Sequence, residues 1–517
     1  MTEASTQLSR SETRGKLALA AVTLGSGVAI LDGSVVNIAV KAIGTELEAS
    51  LAQLQWVING YMLALASLVL VGGALGDRLG RKRIYLIGMA WFLVGSALCT
   101  VAQSPGQLIG MRVLQGIGAA LLTPGALSII QSSFVPSERA AAIGTWAGMS
   151  GIAAAIGPFI GGWLVDNASW RWIFAINIPL CLLVIGMAWW AVPESRADGI
   201  RGRFDWTGAG LTVIALAALT FALTDEGTLG PALPTIAYAV AAAAAVAFVV
   251  VERRVGRPLV PLSLFGSRVF SAANAMTFLV YGALGAIFFF LVIQLQVSAG
   301  WSAFAAGLSG LPVTVALMLL SSQAAALSAR IGPRKPMTFG PLMCAVGVLA
   351  LLRVGAGSTW WDVLPGMVMF ALGLSLLVSP LTAAVLAAAP GDHAGVASGI
   401  NNAVARAGSL LAVAALPALV GLVGDSYQDP VAMTAGYRTS MIVCAVLLAA
   451  GGIVSWFGLG AGNGGATDVA AVPSPSDAAG ASNATDPSNA TDPSDVPDTA
   501  ARVTTTPDLS AGSEEPR

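Results

Sequence analysis

Charged side chains are scarce in this chain of 517 residues. Asp, Glu, Lys and Arg together make up only 10% of it, and 56% of the residues are hydrophobic; soluble domains carry about 25% charged residues. With a mean hydropathy of +0.78, the composition excludes an ordinary soluble protein. The net charge of −1 lacks the strong basic balance of nucleic-acid-binding proteins, so no nucleic-acid partner is expected.

The residue types that bind metals and carry out acid–base catalysis are also few. The chain has one histidine, His393, and four cysteines, which all fall inside apolar runs. We therefore expect no disulfide, no metal site and no cofactor. The Walker A pattern that holds ATP phosphates does not occur, which argues against ATP as the energy source. Without a cluster of His, Cys or carboxylates, the sequence does not predict an enzyme.

Long hydrophobic runs fill most of the chain. Fourteen of them are long enough to cross a bilayer, which takes about 20 residues, and the first is too long for the apolar part of a cleaved signal peptide. The sequence predicts an all-α integral membrane protein with fourteen transmembrane helices. The predicted spans are 17–40, 55–76, 84–103, 107–130, 140–165, 172–192, 206–225, 231–251, 270–297, 304–328, 337–354, 363–389, 396–423 and 437–460.

Basic residues are unevenly distributed between the loops that join these spans. With the N-terminus inside, cytoplasmic loops hold 18 of the 26 lysines and arginines, and outer loops hold four. Because basic loops stay on the cytoplasmic side, we expect both termini to be cytoplasmic.

A faint internal repeat divides the spans into two halves. A shift of 252 residues places the segment after the second span on 325–334, and a shift of 256 places Thr123-Pro124 on Ser379-Pro380. Transporters built from paired halves bind substrate between them. From about Ala461 onward, Gly, Ala, Ser, Thr, Pro and Asp dominate, a composition typical of disorder. The predicted organisation is a cytoplasmic N-terminus (1–16), an N-terminal six-helix bundle (17–192), a linker with two inserted helices (193–269; helices 206–225 and 231–251), a C-terminal six-helix bundle (270–460) and a disordered cytoplasmic tail (461–517).

A basic loop rich in glycine joins the second and third spans. Its sequence, Gly73-Ala-Leu-Gly-Asp77-Arg78-Leu-Gly80-Arg81-Lys-Arg, places one acid among four cations. Glycines let the two helices approach closely, and Asp77 can pair with Arg81 or with a helix N-terminus. We expect a latch that differs between two conformational states; a solvated loop acid is the alternative. Ala329 replaces the acid in the second half, so gating should be asymmetric.

Two ionisable residues lie inside predicted spans of the first half. Asp32 is the one carboxylate well inside a span, roughly 12 Å from its outer boundary, and Arg112 lies roughly 8 Å deep in span four. An ionised carboxylate at that depth is costly unless it is paired or protonated. We therefore predict that Asp32 carries a proton and that Arg112 is its partner. A packing acid and a static ion pair are the alternatives.

Span five contains a row of small residues and a proline. Gly151, Gly157, Gly161 and Gly162 would let helix backbones touch, and Pro158 would interrupt the helical hydrogen bonds. Such a helix suits repacking during transport, although ordinary tight packing would use the same residues.

Polar residues within the spans are candidates for a substrate cavity. Arg406 lies roughly 15 Å into span thirteen, close to the midplane, with two asparagines one turn below it. For each amide, a hydrogen bond between helices is an equally good explanation. The candidate cavity residues are Asn37, Tyr61, Gln115, Gln294, Gln296, Asn401, Asn402 and Arg406.

Taken in order, these segments resemble the motifs of a known transporter family. Gly73–Arg83 is similar to motif A of the major facilitator superfamily, residues 108–118 to its motif B, and residues 151–162 to its antiporter motif C. The resemblance covers about residues 15–460. Signatures similar to those of the fourteen-helix drug:proton antiporter branch occur at 31–39, 170–179 and 397–406.

The resemblance implies the major facilitator fold, with two six-helix halves plus two inserted helices. It implies a multidrug efflux transporter of the bacterial cytoplasmic membrane that exports lipophilic drug-like compounds by alternating access in exchange for protons. In the family, the motif B arginine (Arg112) is linked to proton coupling, the motif A acid (Asp77) to the outward-facing state, and motif C to exporters. Lipophilic small molecules, protons and the lipid bilayer would be the partners of a monomeric protein.

One departure from that branch bears on the cargo. Spans 304–328 and 396–423 contain no Asp or Glu, whereas some dication exporters of the branch carry acids there. Neutral, zwitterionic or singly cationic compounds are therefore favoured as cargo. Because Arg406 has no acid beside it in these spans, cargo with an anionic group also stays possible. The alternatives are a dedicated exporter of one endogenous metabolite, antibiotic or lipid, and a sensor or membrane enzyme on the same scaffold.

Overall fold

The chain forms an array of long helices. Its structure, a computed structural model, describes residues 7–196, 205–225, 230, 232–256, 258–389 and 394–459. His393, the predicted tail over 461–517 and parts of the linker lie outside these residues.

Sixteen α-helices account for most of the described residues. They form fourteen stretches long and apolar enough to cross a membrane, because two of these stretches, 172–191 and 303–331, each consist of two helices. The fourteen-span, all-α fold predicted from the sequence is confirmed. The helices are α1 (Thr13–Glu46), α2 (Leu51–Leu79), α3 (Arg81–Thr100), α4 (Pro105–Ser133), α5 (Pro136–Asn167), α6 (Trp172–Ala175), α7 (Asn177–Ala191), α8 (Trp206–Thr224), α9 (Ala232–Arg254), α10 (Arg268–Val297), α11 (Ala303–Leu308), α12 (Leu311–Ile331), α13 (Arg334–Ala350), α14 (Trp360–Ala387), α15 (Ala394–Leu419) and α16 (Pro430–Gly458).

Several helices are longer than the apolar runs that predicted them. The first helix ends at Glu46 where the apolar run suggested residue 40, and the last begins at Pro430 where it suggested 437. Capping residues fix such ends, because they satisfy backbone N–H groups that have no partner within the helix. Asp429 caps α16 directly before Pro430, and Ser50 caps α2.

The two halves repeat the same helix packing. In the first half, α1 packs on α5 and α7, and α3 packs on α4. In the second half, α10 packs on α15 and α16, and α13 packs on α14. The turn after the second helix also recurs, since α2 ends before Gly80 and α12 ends before Gly332, with φ of 116° and 80°. A side chain with a Cβ is strained at such φ values, so both halves use glycine there.

The inserted helices α8 and α9 form a pair that contacts both halves. They pack along each other, and α8 also contacts α2 of the first half and α15 of the second. This pair therefore lies beside the interface between the halves.

Hydrogen bonds between the halves gather on the face opposite the start of α1 and the end of α16. The Gln55 amide donates to the carbonyls of Val413 (2.5 Å) and Ala414 (3.1 Å). The Tyr427 hydroxyl donates to the Ala49 carbonyl at 3.1 Å. Burial raises the pKa of Tyr427, so this donor stays protonated over the physiological range. We call this region the closed face.

The closed face also joins α5 to α11 and α1 to α10. Both carboxylate oxygens of Asp166 accept hydrogen bonds from backbone N–H groups at the start of α11, those of Ala303 (2.9 Å) and Phe304 (2.8 Å). The Gln296 amide donates to the Ile38 carbonyl at 2.9 Å. These contacts hold the two halves together on the closed face.

Candidate functional site

Asp32 and Arg112 form a buried ion pair between α1 and α4. Arg112 Nη1 lies 2.5 Å from Asp32 Oδ2, and the two residues are 1% and 0% exposed. Arg112 Nε donates to the Val57 carbonyl at 3.1 Å, and its guanidinium lies 4.3 Å from the centre of the Tyr61 ring. The structure thus brings together the two residues that the sequence placed at similar depths.

Three polar side chains complete the surroundings of this pair. Gln115 Nε2 and Asn177 Nδ2 donate to Asp32 Oδ1 at 2.8 and 2.9 Å. The same two nitrogens lie 2.6 and 3.2 Å from Ser96 Oγ. The Asp32 carboxylate therefore accepts three hydrogen bonds, and each of its oxygens has a partner in the buried interior. Asn177 Oδ1, in contrast, is buried without a hydrogen-bond partner.

This cluster corrects one expectation and adds two residues. Gln115, expected in the substrate cavity, instead uses its amide on Asp32 and Ser96, because a buried carboxylate needs donors. Sequence reasoning gave no role to Ser96 or Asn177. Asn177 was visible as a polar residue at the start of an apolar span, within the segment 170–179.

A cavity of about 610 Å³ lies between the halves, beyond the closed face toward the end where α1 begins. The first half lines it with α1, α2, α4 and α5, and the second half with α10, α11, α12 and α15. The inserted pair, over its described residues, contributes nothing to the lining. Five aromatic side chains form part of the walls: Tyr61, Trp146, Phe159, Tyr281 and Phe288.

Half of the candidate cavity residues lie on these walls. Asn37, Tyr61, Asn402 and Arg406 line the cavity. Tyr61 also contacts the buried pair, since Arg112 lies over its ring and its hydroxyl donates to the Ala29 carbonyl at 3.1 Å. A single side chain therefore separates the cavity from the Asp32–Arg112 pair.

The remaining amides of that set lie outside the cavity. Gln294 donates to the Val354 carbonyl and to Thr434, within the second half. Gln296 belongs to the closed face. Asn401 donates to Thr277 Oγ1 at 2.8 Å, across from α15 to α10. Each amide serves a contact between helices, the alternative that the sequence left open, because an unpaired amide in a dry interior is costly.

Arg406 is the one charged residue on the described walls of the cavity. Its Nε atom is buried without a hydrogen-bond partner. The ion pairs between described residues leave Arg406 out, whereas Arg112 is paired. The two arginines therefore differ: Arg112 is buried and neutralised inside the first half, and the half-buried Arg406 presents its charge to the cavity.

The glycine-rich segment 73–83, expected as a loop, forms the end of α2, a tight turn at Gly80 and the start of α3, at the opposite end of the first half from the closed face. Gly73 lies against Pro124 of α4, where a Cβ would come within 3.4 Å of the proline ring. Arg78 lies in the last turn of α2, and Gly80 supplies the positive φ of the turn itself.

Two carboxylates hold this turn. Asp77 pairs with Arg81 at 2.8 Å. Glu194, which follows α7, accepts hydrogen bonds from the backbone N–H groups of Lys82 and Arg83, each at 3.1 Å. It thereby satisfies groups at the start of α3 that have no partner within the helix. Sequence reasoning missed Glu194, although an acid directly after an apolar span was a visible signal.

The small residues of α5 pack against two different helices. A Cβ on Gly161 would lie 1.8 Å from Val35 Cγ2 of α1, and a Cβ on Gly162 would lie 2.5 Å from Phe304 Cα of α11. Gly157 also faces α1, with its Cβ position 2.8 Å from Ser34 Oγ. Helix α5 is thus packed closely within its own half and across to the other half.

The two other members of the α5 motif are placed differently. Pro158 lies inside the helix and lines the cavity, and its carbonyl approaches the backbone of Gly307. Gly151 has no atom within 4 Å of its Cβ position, so it takes no part in the close packing expected from the sequence. It lies on the part of α5 farther from the closed face.

Comparisons with known proteins agree with this architecture. The family model described as Major Facilitator Superfamily matches residues 22–413. The chain is 36% identical over 420 residues to the probable actinorhodin transporter of Streptomyces coelicolor, covering 78% of this chain and 72% of that protein. It is 33% identical over 445 residues to the methylenomycin A resistance protein of the same organism, covering 85% and 91%. It is 34% identical over 403 residues to the multidrug resistance protein Stp of Mycobacterium tuberculosis, covering 77% and 75%.

Solved structures share the fold at low sequence identity. A bacterial homologue of the human lysosomal transporter Spinster, inward-facing and unoccupied, gives a TM-score of 0.61 at 17% identity, covering 86% of this chain and 97% of that chain. A POT family transporter in complex with 5-aminolevulinic acid gives 0.66 at 14% identity, covering 87% and 96%.

Proposed function

This chain belongs to the major facilitator superfamily, and on that premise we propose that it exports lipophilic drug-like compounds in exchange for protons. The proposal places it in the bacterial cytoplasmic membrane with both termini inside. Its relatives support export, because they are named for antibiotic transport or for resistance to antibiotics and drugs. The arrangement of the halves supports alternating access, since the cavity is sealed by the closed face and lies toward the termini. With the termini inside, this is the state that loads cargo from the cytoplasm.

The observation that carries proton coupling is the buried Asp32–Arg112 pair, one side chain away from the cavity. A proton that binds Asp32 removes its negative charge and weakens its hold on Arg112. Rotation of the Asn177 amide would then offer its free Oδ1 to the new O–H group. The cluster can thus satisfy its hydrogen bonds with or without the proton, as a proton carrier requires.

Tyr61 is the proposed link between proton and cargo. Its ring contacts the Arg112 guanidinium and also lines the cavity. Movement of Arg112 after protonation would therefore shift the Tyr61 ring and change the contact of that ring with cargo. Cargo and Asp32 need not touch each other.

The loop after α2 and the small residues of α5 are the proposed moving parts. We assign Asp77 to a latch that holds the outward-facing state, in which the inner ends of the halves meet. In the state described here its partner is Arg81 of the same half, so the latch would form by exchange of this partner. Helix α5 would repack at Gly161 and Gly162 when the closed face opens, because these glycines contact both α1 and α11.

The test is proton movement in liposomes that contain the purified protein. Addition of methylenomycin A or actinorhodin should move protons through the wild-type protein. Asp32→Asn keeps the size and polarity of the side chain but cannot cycle its charge, so proton movement should fall to the level of empty liposomes. Asp425→Asn, at an exposed loop carboxylate, is the matched control and should behave as wild type. Full proton movement by Asp32→Asn would overturn the assignment.

A dedicated exporter of one compound is the second candidate function. Two of the relatives described above are named for a single antibiotic. A growth-resistance panel with and without an uncoupler separates the candidates: a multidrug exporter protects against several unrelated compounds, and a dedicated exporter protects against one.

A further inference from the structure

We propose that the cavity selects lipophilic cargo that carries an anionic group, above all a carboxylate, with Arg406 as its counter-charge and Asn59 as a second hydrogen-bonding group. This inference rests on the proposed export function, because it takes the cavity between the halves as the cargo site. It narrows the cargo from lipophilic compounds in general to amphipathic organic acids.

The first observation is the unpaired charge of Arg406. Its Nε atom is buried without a partner on the cavity wall, and no described residue forms an ion pair with it. A guanidinium removed from water is costly unless an acceptor meets it. Its planar fork of N–H groups matches the two oxygens of a carboxylate, which makes that group the best partner.

The second observation is the unsatisfied amide of Asn59. This residue lines the cavity and is 0% exposed, yet neither its Oδ1 nor its Nδ2 has a hydrogen-bond partner. Buried amides nearly always have a partner, so an amide without one directly behind a cavity wall is a candidate to meet a polar ligand. Because both polar atoms of Asn59 are closed to water, its Nδ2 would donate to an anionic oxygen only after the side chain rotates toward the cavity.

Asn59 and Arg406 lie on the same edge of the cavity. The Gln55 amide near the start of α2 bonds the Val413 carbonyl near the end of α15, so the two helices run antiparallel at this contact. One turn further along α2 lies Asn59, and one turn back along α15 lies Ser409, which therefore sits at the same level. Arg406 follows about one turn below Ser409. All three residues line the cavity.

The charges around the cavity argue against a preference for cationic cargo. No Asp or Glu lies among the described lining residues. The nearest buried acid, Asp32, is neutralised by Arg112 and lies behind Tyr61. The site thus carries one uncompensated positive charge. A cationic compound would be repelled, and a neutral one would leave Arg406 unpaired. The proposal therefore takes up the anionic groups that the sequence left open, in place of the neutral, zwitterionic or singly cationic cargo that it favoured. The aromatic walls suit the apolar body of such an acid.

The experiment compares three fluorescent probes on the full-length protein in phosphatidylcholine nanodiscs. Anthracenecarboxylate, its methyl ester and the aminomethyl analogue share one aromatic body and differ in charge. We expect the wild-type protein to bind the carboxylate about ten- to a hundred-fold more tightly than the ester, as a charge-assisted hydrogen bond implies. The aminomethyl analogue should bind most weakly.

Variants of the protein then test whether Arg406 causes the preference for the carboxylate. Arg406→Gln should bring the affinity for the carboxylate down to that for the ester, and Arg406→Lys should retain part of the difference. An unchanged affinity for the ester shows that the Arg406→Gln protein is folded. Arg353→Gln, which removes an exposed arginine outside the cavity, is the matched control and should keep the full preference.

Several outcomes would overturn the inference. Equal affinities of the wild-type protein for the carboxylate and the ester would do so without any variant, as would an acid preference that survives Arg406→Gln. Loss of the preference in phosphatidylglycerol nanodiscs would assign Arg406 to a lipid headgroup instead of cargo. Because binding is measured without a proton gradient, these outcomes are distinct from failure of the proposed exchange, which proton movement in liposomes tests separately.

Discussion

At the scale of single residues, the surroundings of Asp32 show how a charge is kept in an apolar interior. Its carboxylate accepts hydrogen bonds from Arg112, Gln115 and Asn177, three residues on two other helices. Since the arginine also cancels its charge, the pair as a whole is neutral. Such a pair costs little while it is complete and much when one partner is removed.

The first prediction concerns the cost of removing one partner of this ion pair. Arg112→Ala leaves a buried carboxylate without its counter-charge, and we expect it to lower the free energy of unfolding by about 3–5 kcal/mol. The double variant Asp32→Asn with Arg112→Ala should recover most of the lost Tm, because no uncompensated charge remains, but should move no protons. Thermal unfolding monitored by tryptophan fluorescence gives the Tm values. A double variant as unstable as Arg112→Ala would show that the arginine stabilises the fold by packing and not by its charge.

The second prediction concerns the role of Asn177 in coupling. Asn177→Ala removes a donor to the Asp32 carboxylate and also the Oδ1 atom that we propose accepts from its protonated form. Both steps of proton exchange then lose a hydrogen-bond partner, so the rate of substrate-driven proton movement should fall about ten-fold, as expected for the loss of a hydrogen bond to a charged group. Proton movement in liposomes tests this. Asn167→Ala, at an exposed amide of α5, should leave the rate unchanged.

At the scale of helices, α5 is one of the elements that tie the two halves together on the closed face. Gly162 allows its backbone to touch Phe304, and Asp166 accepts hydrogen bonds from the first N–H groups of α11. Opening of this face must break those hydrogen bonds and separate the two backbones. The stability of the closed state therefore depends in part on a few residues at the end of α5.

The third prediction tests Asp166. Asp166→Ala removes the acceptor for two N–H groups of α11, a loss comparable to that of a helix cap, about 1–2 kcal/mol. The ratio of open to closed molecules should rise about five- to thirty-fold. Spin labels at the exposed positions Gln103 and Val431, one on each half, report this as a longer distance. The four native cysteines are buried and do not compete for the label.

The control for Asp166 lies on the same face within one half. Asp362 caps α14 by accepting from the Thr359 N–H at 2.8 Å, without any contact to the first half. Asp362→Ala should therefore leave the distance distribution unchanged. If both variants shift it equally, the effect arises from a lost cap in general and not from the contact between halves.

At the scale of the whole molecule, the two halves share their apolar core on one side only. One buried cluster runs through the second half and includes Val40 and Leu54 of the first half, at the closed face. A separate cluster, with Tyr85 and Phe92, belongs to the first half alone. Because the first half keeps a core of its own, it can rock against the second half about the closed face without disturbing that core.

The fourth prediction concerns the inserted pair. Helices α8 and α9 form a pair that contacts both halves through α8 but, over its described residues, does not line the cavity. Removal of residues 206–251 should lower the Tm by at least about 4 °C through lost packing, with the relative affinities for the three anthracene probes unchanged. Size-exclusion profiles and the same binding assay measure both effects. A changed order of probe affinities would mean that the pair shapes the cargo site.

The amino-acid sequence by itself determined how many times the chain crosses the membrane and where its turns lie. Hydrophobicity and capping are local properties, so apolar runs, caps and the glycines at 80 and 332 could be recognised without knowledge of distant residues. The depth of Asp32 and Arg112 followed from the same count of residues along a helix, and that depth permitted their pairing.

Only the tertiary structure decided which polar residues share a site. Asn177 reaches Asp32 from 145 positions away, and Glu194 reaches Lys82 from 112 positions away. Gln115 and Arg406 look alike in the sequence, because both are polar residues in apolar spans. In the structure, Gln115 is hydrogen-bonded to Asp32, whereas Arg406 faces the cavity. The side on which a helix meets its neighbours depends on how all the helices pack around it. The role of a polar group in an apolar interior therefore depends on the partner that this packing places beside it.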